Sequence, residues 1–250
     1  MKLILISNDD GIQAPGIQAL AEMASRHGEV VVVAPDGPRS AQSSALTINN
    51  PVGAKMVKKE ERITWWQTTG TPADCVKLAV TMLLDRKPDL ILSGINHGSN
   101  ASVNVIYSGT MGAAMEGAMH DVPSIGYSIC DHSMEVSMEH CMPWFERILE
   151  RVIEHGLPTD VCLNVNAPVG EVKGIRVCRQ AQGRWANDFA PDNAPRPQRY
   201  FWMVGDFFNT ENHDPEADAV AVDNGYIAIV PVQVDMTAYR ALDFCKKTLL

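Results

Sequence analysis

The sequence predicts an α/β fold built on a doubly wound, mostly parallel sheet, and three observations predict it. Strand-like and helix-like segments alternate from the start of the chain to about residue 130. Glu29 to Ala34 is a near-continuous valine run, as expected of a parallel strand covered on both faces. The apolar run Leu3-Ile4-Leu5-Ile6 stops at Ser7-Asn8-Asp9-Asp10-Gly11, which puts polar chemistry at a strand's carboxyl end. Open α/β sheets bind their ligands at that edge.

The elements follow in order. A strand over 2–7 leads through Pro15-Gly16 to a helix at 15–27, where Ile17, Leu20, Ala21 and Ala24 share one face. After the valine strand, Ile63 to Gln67 is extended. Thr71 caps a helix over 72–85, with Pro72 at its first position and Asp74 completing a capping box. Pro88 precedes a strand from Asp89 to Ser93, then come a loop, a small-residue helix at 110–120 and a strand at 123–129.

Beyond residue 130 the pattern changes. A long helix is expected over 134–155, with Phe145, Ile148, Leu149 and Val152 on one face. Strands at 160–166 and 174–180 follow, and a strand at 225–231 with a helix at 237–247 closes the chain. Between them, 183–218 is rich in Asn, Asp, Pro and aromatics, including Trp185, Phe189, Tyr200, Phe201, Trp202, Phe207 and Phe208. Long irregular segments in compact domains are usually functional, and exposed aromatics at this density are costly. The segment is therefore expected to be an arm or hairpin packing on a second subunit; burial within the same subunit is the alternative. The chain thus divides into a core over 1–130 carrying the site and a completing part over 131–250 that includes the arm.

Composition narrows the function. Hydrophobic residues make up 46% and charged residues 20%, a globular profile with a formal charge of −9. That charge argues against a nucleic-acid polymer as partner but leaves small anions possible where a bound cation inverts the local sign. No stretch approaches a membrane span, and the N-terminal apolar run is too short for a signal peptide. The six cysteines show no Cys-x-x-Cys pairing and are expected to be reduced, in the cytoplasm.

The chemistry falls in four loops, at strand ends or helix starts. The first holds Asn8, Asp9 and Asp10. Adjacent carboxylates repel, so two ionised at one edge call for a cation or full solvation. The second, Ala34-Pro35-Asp36-Gly37-Pro38-Arg39-Ser40, supplies a cation and a hydroxyl. The third, Ser93-Gly94-Ile95-Asn96-His97-Gly98-Ser99-Asn100, supplies amide oxygens. The fourth, Tyr107-Ser108-Gly109-Thr110-Met111, opens a helix whose free N–H groups suit a phosphate. Singly, each is open to a plainer account: Asp-Asp-Gly as a solvated turn, Ser40 as a turn residue, Asn96 as a left-handed residue, Ser108 and Thr110 as caps. His97 has no second His or Cys nearby, which disfavours a transition-metal site. Together the loops favour a metal-plus-phosphate site of hard oxygen donors. A receiver domain would be far shorter, a haloacid-dehalogenase-type phosphatase would want Asp-x-Asp, and a dinucleotide site would want Gly-x-Gly-x-x-Gly after the first strand.

Ser-Asn-Asp-Asp-Gly at 7–11, Ala-Pro-Asp with Arg-Ser at 34–40, Gly-Thr-Pro-Ala-Asp-Cys-Val at 70–76, Ser-Gly-Ile-Asn at 93–96 and Tyr-Ser-Gly-Thr at 107–110 occur in this order. Leu163-Asn164-Val165-Asn166-Ala167-Pro168 and Gly225-Tyr226 extend the pattern. This ordered set resembles the SurE family (survival protein E) of metal-dependent 5′/3′-nucleotidases. The resemblance implies a Rossmann-like core and a swapped C-terminal arm in a homodimer or homotetramer. It also implies one divalent ion, Mg²⁺ or Mn²⁺, held by Asp9, Asp10, Ser40 and Asn96, with Asp9 and Asp10 catalytic. Asn100, Ser108, Gly109 and Thr110 would contact the phosphate of a nucleoside monophosphate, with 3′-monophosphates and short polyphosphate as further substrates. A non-enzymatic nucleotide-binding regulator using the same pocket is the alternative.

Overall fold

The computed structural model describes residues 1–195, 197–211 and 213–249; Arg196 and Asn212, within the expected arm, lie outside the described residues. β1 (Lys2–Ser7) runs straight into the Asp-Asp turn, and α1 (Pro15–Ser25) begins on its proline. β2 (Gly28–Pro35), β3 (Ala54–Lys59) and β4 (Ile63–Thr68) follow. α2 (Pro72–Leu78) carries the expected capping box between Thr71 and Asp74. β5 (Leu90–His97), α3 (Gly109–Met119), β6 (Ser124–Ile129), α4 (Met142–His155) and β7 (Val161–Ala167) complete the alternating part. β8 (Ile175–Val177) comes next. After the arm described below, α5 (Asp218–Asp223), β13 (Ile227–Gln233) and α6 (Leu242–Leu249) end the chain.

One sheet runs in the order β3-β4-β2-β1-β5-β6-β7-β13-β8. The six strands from β4 to β7 are mutually parallel, whereas β3 and β13 pair antiparallel with their neighbours β4 and β7. Strand order reverses between β1 and β5, which makes a crevice where their carboxyl ends diverge. Alternate residues of β1 serve opposite faces. Ile4 and Ile6 pack with Ile17 and Leu20 of α1 and Phe145 of α4, while Leu3 and Leu5 pack with Cys75 and Val76 of α2 and Ala113 of α3. Phe145 lies against Tyr127, ring centroids 4.6 Å apart, and burial of such a ring contributes about 1.5–3 kcal/mol. The arrangement is a Rossmann-like doubly wound sheet, as expected. All six cysteines are free thiols.

Several boundaries differ from expectation. α4 starts at Met142 rather than near 134, because Pro143 favours the first helical turn and disfavours helix in the residues before it. Asp131 and Ser133 turn the preceding stretch by accepting the N–H groups of Ser133 and Glu135. The helix expected over 72–85 is regular only to Leu78 and continues as a π-helical turn over Ala79–Leu83. β5 reaches His97 through an irregularity between Ser93 and Asn96, so the expected third loop is strand from Ser93 to His97. Gly94 makes this possible: its φ is 121°, and a Cβ there would lie 2.3 Å from the Tyr127 carbonyl oxygen. β8 is shorter than 174–180, and a short 3₁₀ turn at Tyr239–Ala241 precedes α6. β3 was not expected. Its Ala-Lys-Met-Val-Lys-Lys lacks alternation, and it forms an exposed outer edge with a bulge between Met56 and Lys58.

The aromatic-rich stretch is a bent β-hairpin. β9 (Gly183–Ala186) pairs with β12 (Asp206–Asn209), and β10 (Phe189–Pro191) pairs with β11 (Phe201–Met203). Phe189, Phe201, Trp202 and Met203 are all more than half exposed on this single chain. The alternative of burial within the same subunit fails for these four.

Candidate active site

Asp9 and Asp10 leave the end of β1 at the switch point. Asn8 closes the turn by accepting the Gly11 N–H at 3.2 Å and donating its amide to the Gly11 carbonyl at 2.9 Å. Ile12 N–H donates to the Pro35 carbonyl and Arg39 N–H to the Asp9 carbonyl, which ties the loop after β2 to the carboxylates. Ser40 sits on that loop and is exposed. The loop then crosses the start of α3: the Ser43 hydroxyl donates to the Ile106 carbonyl at 2.7 Å and its N–H to the Tyr107 carbonyl.

α3 aims its N-terminus at Asp9. Ser108 caps the helix by accepting the Met111 N–H at 3.1 Å. Gly109 touches the carboxylate; a Cβ there would sit 2.7 Å from the Asp9 Cβ and 3.0 Å from Oδ2. The Thr110 hydroxyl donates to Asp9 Oδ1 at 2.6 Å. This hydroxyl, on a residue expected to contact phosphate, orients the carboxylate. Asp9 is nearly buried, and burial pushes its pKa up to about 6, the neighbouring Asp10 adding to the rise and the Thr110 hydroxyl opposing it.

Asp10 is held from the β5 side. Its Oδ2 accepts the His97 backbone N–H at 3.2 Å and lies 3.1 Å from His97 Nδ1. An ionised carboxylate only accepts, so the imidazole proton sits on Nδ1 in that state. Nε2 is buried without a partner among the described residues. Sequence reasoning set His97 aside as a lone histidine and missed this contact. Asn96, beside it, donates its amide to the Gly98 carbonyl at 2.8 Å, which leaves its oxygen an acceptor. Asn100 is deeper. Its N–H donates to Asn166 Oδ1 and its amide to Ser128 Oγ, while its carbonyl accepts from Asn164, each at 2.8 Å. Ser128, Asn164 and Asn166 were not expected in a site role. The alternation Asn-Val-Asn inside an apolar strand is the signal that marks two of them.

The structure therefore gathers Asp9, Asp10, Asn96, Ser108, Gly109 and Thr110 at one edge. Ser40 lies on the adjoining loop, and Asn100 sits in the polar floor. Among the described residues no group of three or more His, Cys, Asp or Glu is placed to hold a metal. Two carboxylates with neutral oxygens would suit Mg²⁺ or Mn²⁺ rather than zinc. A buried carboxylate beside a second carboxylate, with no Lys or Arg bonded to either among the described residues, fits a cation. A groove of about 510 Å³ lies elsewhere, between α4 and the strands β7, β13 and β8, and shares no residue with this site.

Known proteins resemble this chain in sequence and structure. A family described as Survival protein SurE matches residues 4–187. The 5′-nucleotidase SurE of Phocaeicola vulgatus is 46% identical over 245 residues, covering 98% of this chain and 95% of its own. That of Bacteroides thetaiotaomicron is 48% identical over 242 residues, covering 96% and 93%. The crystal structure of the SurE protein from Aquifex aeolicus superposes with a TM-score of 0.84 at 34% identity, over 99% of this chain and 100% of that one.

Proposed function

The chain belongs to the SurE family, and we propose that it is a divalent-metal-dependent 5′-nucleotidase that hydrolyses nucleoside monophosphates to nucleoside and phosphate. The single observation that carries the chemistry is the buried Asp9 carboxylate, fixed by Thr110 at the start of α3. Asp9, Asp10, Asn96 and Ser40 would hold one Mg²⁺ or Mn²⁺. When bound there, the ion would supply positive charge to the phosphoryl oxygens and lower the pKa of a bound water.

The chain's own groups do the rest. The Met111 N–H is taken by the Ser108 hydroxyl, so the N–H groups before it at the open end of α3 would be the donors to phosphate oxygens as charge develops on them. Gly109 lets that backbone approach the carboxylate closely. The His97 contacts fix Asp10 Oδ2 and leave Oδ1 for the ion. Asn100 holds the floor beneath the loop. The same site would admit 3′-monophosphates and short polyphosphate. The exposed hairpin over 183–209 supports a homodimer or homotetramer, and the family, together with six free thiols, supports a cytoplasmic enzyme.

The test is phosphate release from 5′- and 3′-nucleoside monophosphates with EDTA, Mg²⁺ or Mn²⁺, beside Asp9→Ala. Release should require metal and fall in the folded variant by at least about 1000-fold, about 4 kcal/mol of barrier. Full activity of Asp9→Ala would sink the site assignment. Nucleotide binding without release under any metal would replace the enzyme with a regulator.

A further inference from the structure

Among the buried acids outside the site, one is bonded only to backbone N–H groups drawn from three segments. Asp218, the first residue of α5, has no exposed surface. Its Oδ2 accepts the Ser102 N–H at 2.9 Å. Its Oδ1 accepts the N–H groups of Ala181 at 2.9 Å and Ala219 at 2.7 Å. Only the last of these donors belongs to its own helix. The other two come from segments far apart in the sequence that meet at this carboxylate.

Each segment leads somewhere specific. Ser102 follows Asn100 by two residues and opens the 3₁₀ turn Ser102–Ile106, which runs through Tyr107 into Ser108 and α3. Its φ is 59°, in the left-handed region that a serine adopts only when its surroundings impose it. Ala181 lies two residues before β9 and forms the root of the hairpin. Two more bonds join the same partners: Ser102 Oγ donates to the Ala181 carbonyl, and Trp185 Nε1 donates to Asn104 Oδ1, both at 2.9 Å. At Gly183 a Cβ would meet Phe207 at 2.5 Å and Ser102 Oγ at 2.8 Å, so the hairpin lies directly on the turn.

We infer that Asp218 is a positioning residue for the nucleotidase reaction: it clamps the 102–106 turn to the hairpin root and so sets the loop between Asn100 and Ser108. The placement of the hairpin is thereby coupled to the phosphate end of the site. The inference rests on the nucleotidase reading above.

Asp218→Asn removes one anionic acceptor and turns an NH₂ toward an N–H, which releases either Ser102 or Ala181. The KM for a nucleoside monophosphate should rise about tenfold, and inhibition by inorganic phosphate should weaken in parallel. Mn²⁺ affinity by calorimetry should stay unchanged, since no proposed metal ligand is touched. Trp185→Phe, which removes one partly exposed hydrogen bond and leaves an aromatic ring in place, keeps the question answerable if Asp218→Asn fails to fold. Its KM should rise about threefold. A purely structural role would lower the active fraction with KM unchanged in both variants, and that result overturns the inference while wild-type turnover leaves the nucleotidase reading standing. Absence of turnover in the wild type overturns both.

Discussion

At the scale of single residues, the site is organised by contacts that bridge distant parts of the chain. Thr110 and Asp9 are 101 positions apart, His97 and Asp10 are 87 apart, and each pair meets because its loops end neighbouring elements. His97→Ala should weaken Mn²⁺ binding by about 10–100-fold, as loss of a ligand's hydrogen-bond partner does elsewhere. Titration calorimetry on the folded variant reads this directly; an unchanged affinity would mean the backbone N–H of residue 97 alone orients Asp10. The carboxylates were readable from sequence because an apolar strand ended on them. The role of His97 was not, because nothing local links an imidazole to a carboxylate on another strand. Thr110 is a second case: its place at a helix start was readable, but the bond from its hydroxyl to Asp9, 101 positions away, was not.

At the scale of elements, sequence periodicity captured whatever buries a face. α1, β2, α3 and the capped start of α2 appear where their patterns put them. It failed where structure depends on neighbours, as in β3, whose residues are all exposed and which exists only by pairing with β4. α1 and α4 are also joined across their ends: Glu146 accepts from Arg26 at 2.8 and 2.9 Å and lies 2.8 Å from His27 Nε2. The Arg26 bond holds the Glu146 carboxyl below its ordinary value of 4.5. A depressed carboxyl pKa stabilises the fold above the unfolded value and loses that contribution as pH falls through the folded one. Glu146→Gln should therefore destabilise the protein above pH 4.5, by up to about 1 kcal/mol for so solvent-exposed a cluster. Urea midpoints across pH should show the wild-type advantage shrinking on acidification; an advantage that grows instead would contradict the assignment.

At the scale of the whole molecule, the hairpin stands out as apolar surface that a single chain leaves in water. Its aromatics were conspicuous in the sequence, but their pairing into two short ladders and the seating of the root on the 102–106 turn were not. Light scattering should find an oligomer, and the pair Phe201→Asp with Trp202→Glu should shift it toward smaller species; a monomeric wild type would refute the role of the hairpin. The opposite margin of the molecule behaves differently. The outer edge at β3 presents Lys55, Lys58 and Lys59 and is broken by its bulge. A strand from another copy approaching that edge meets like charge and a misaligned ladder. Edge-to-edge pairing of sheets, the kind of contact that can repeat without end into fibres, is thereby disfavoured at this margin.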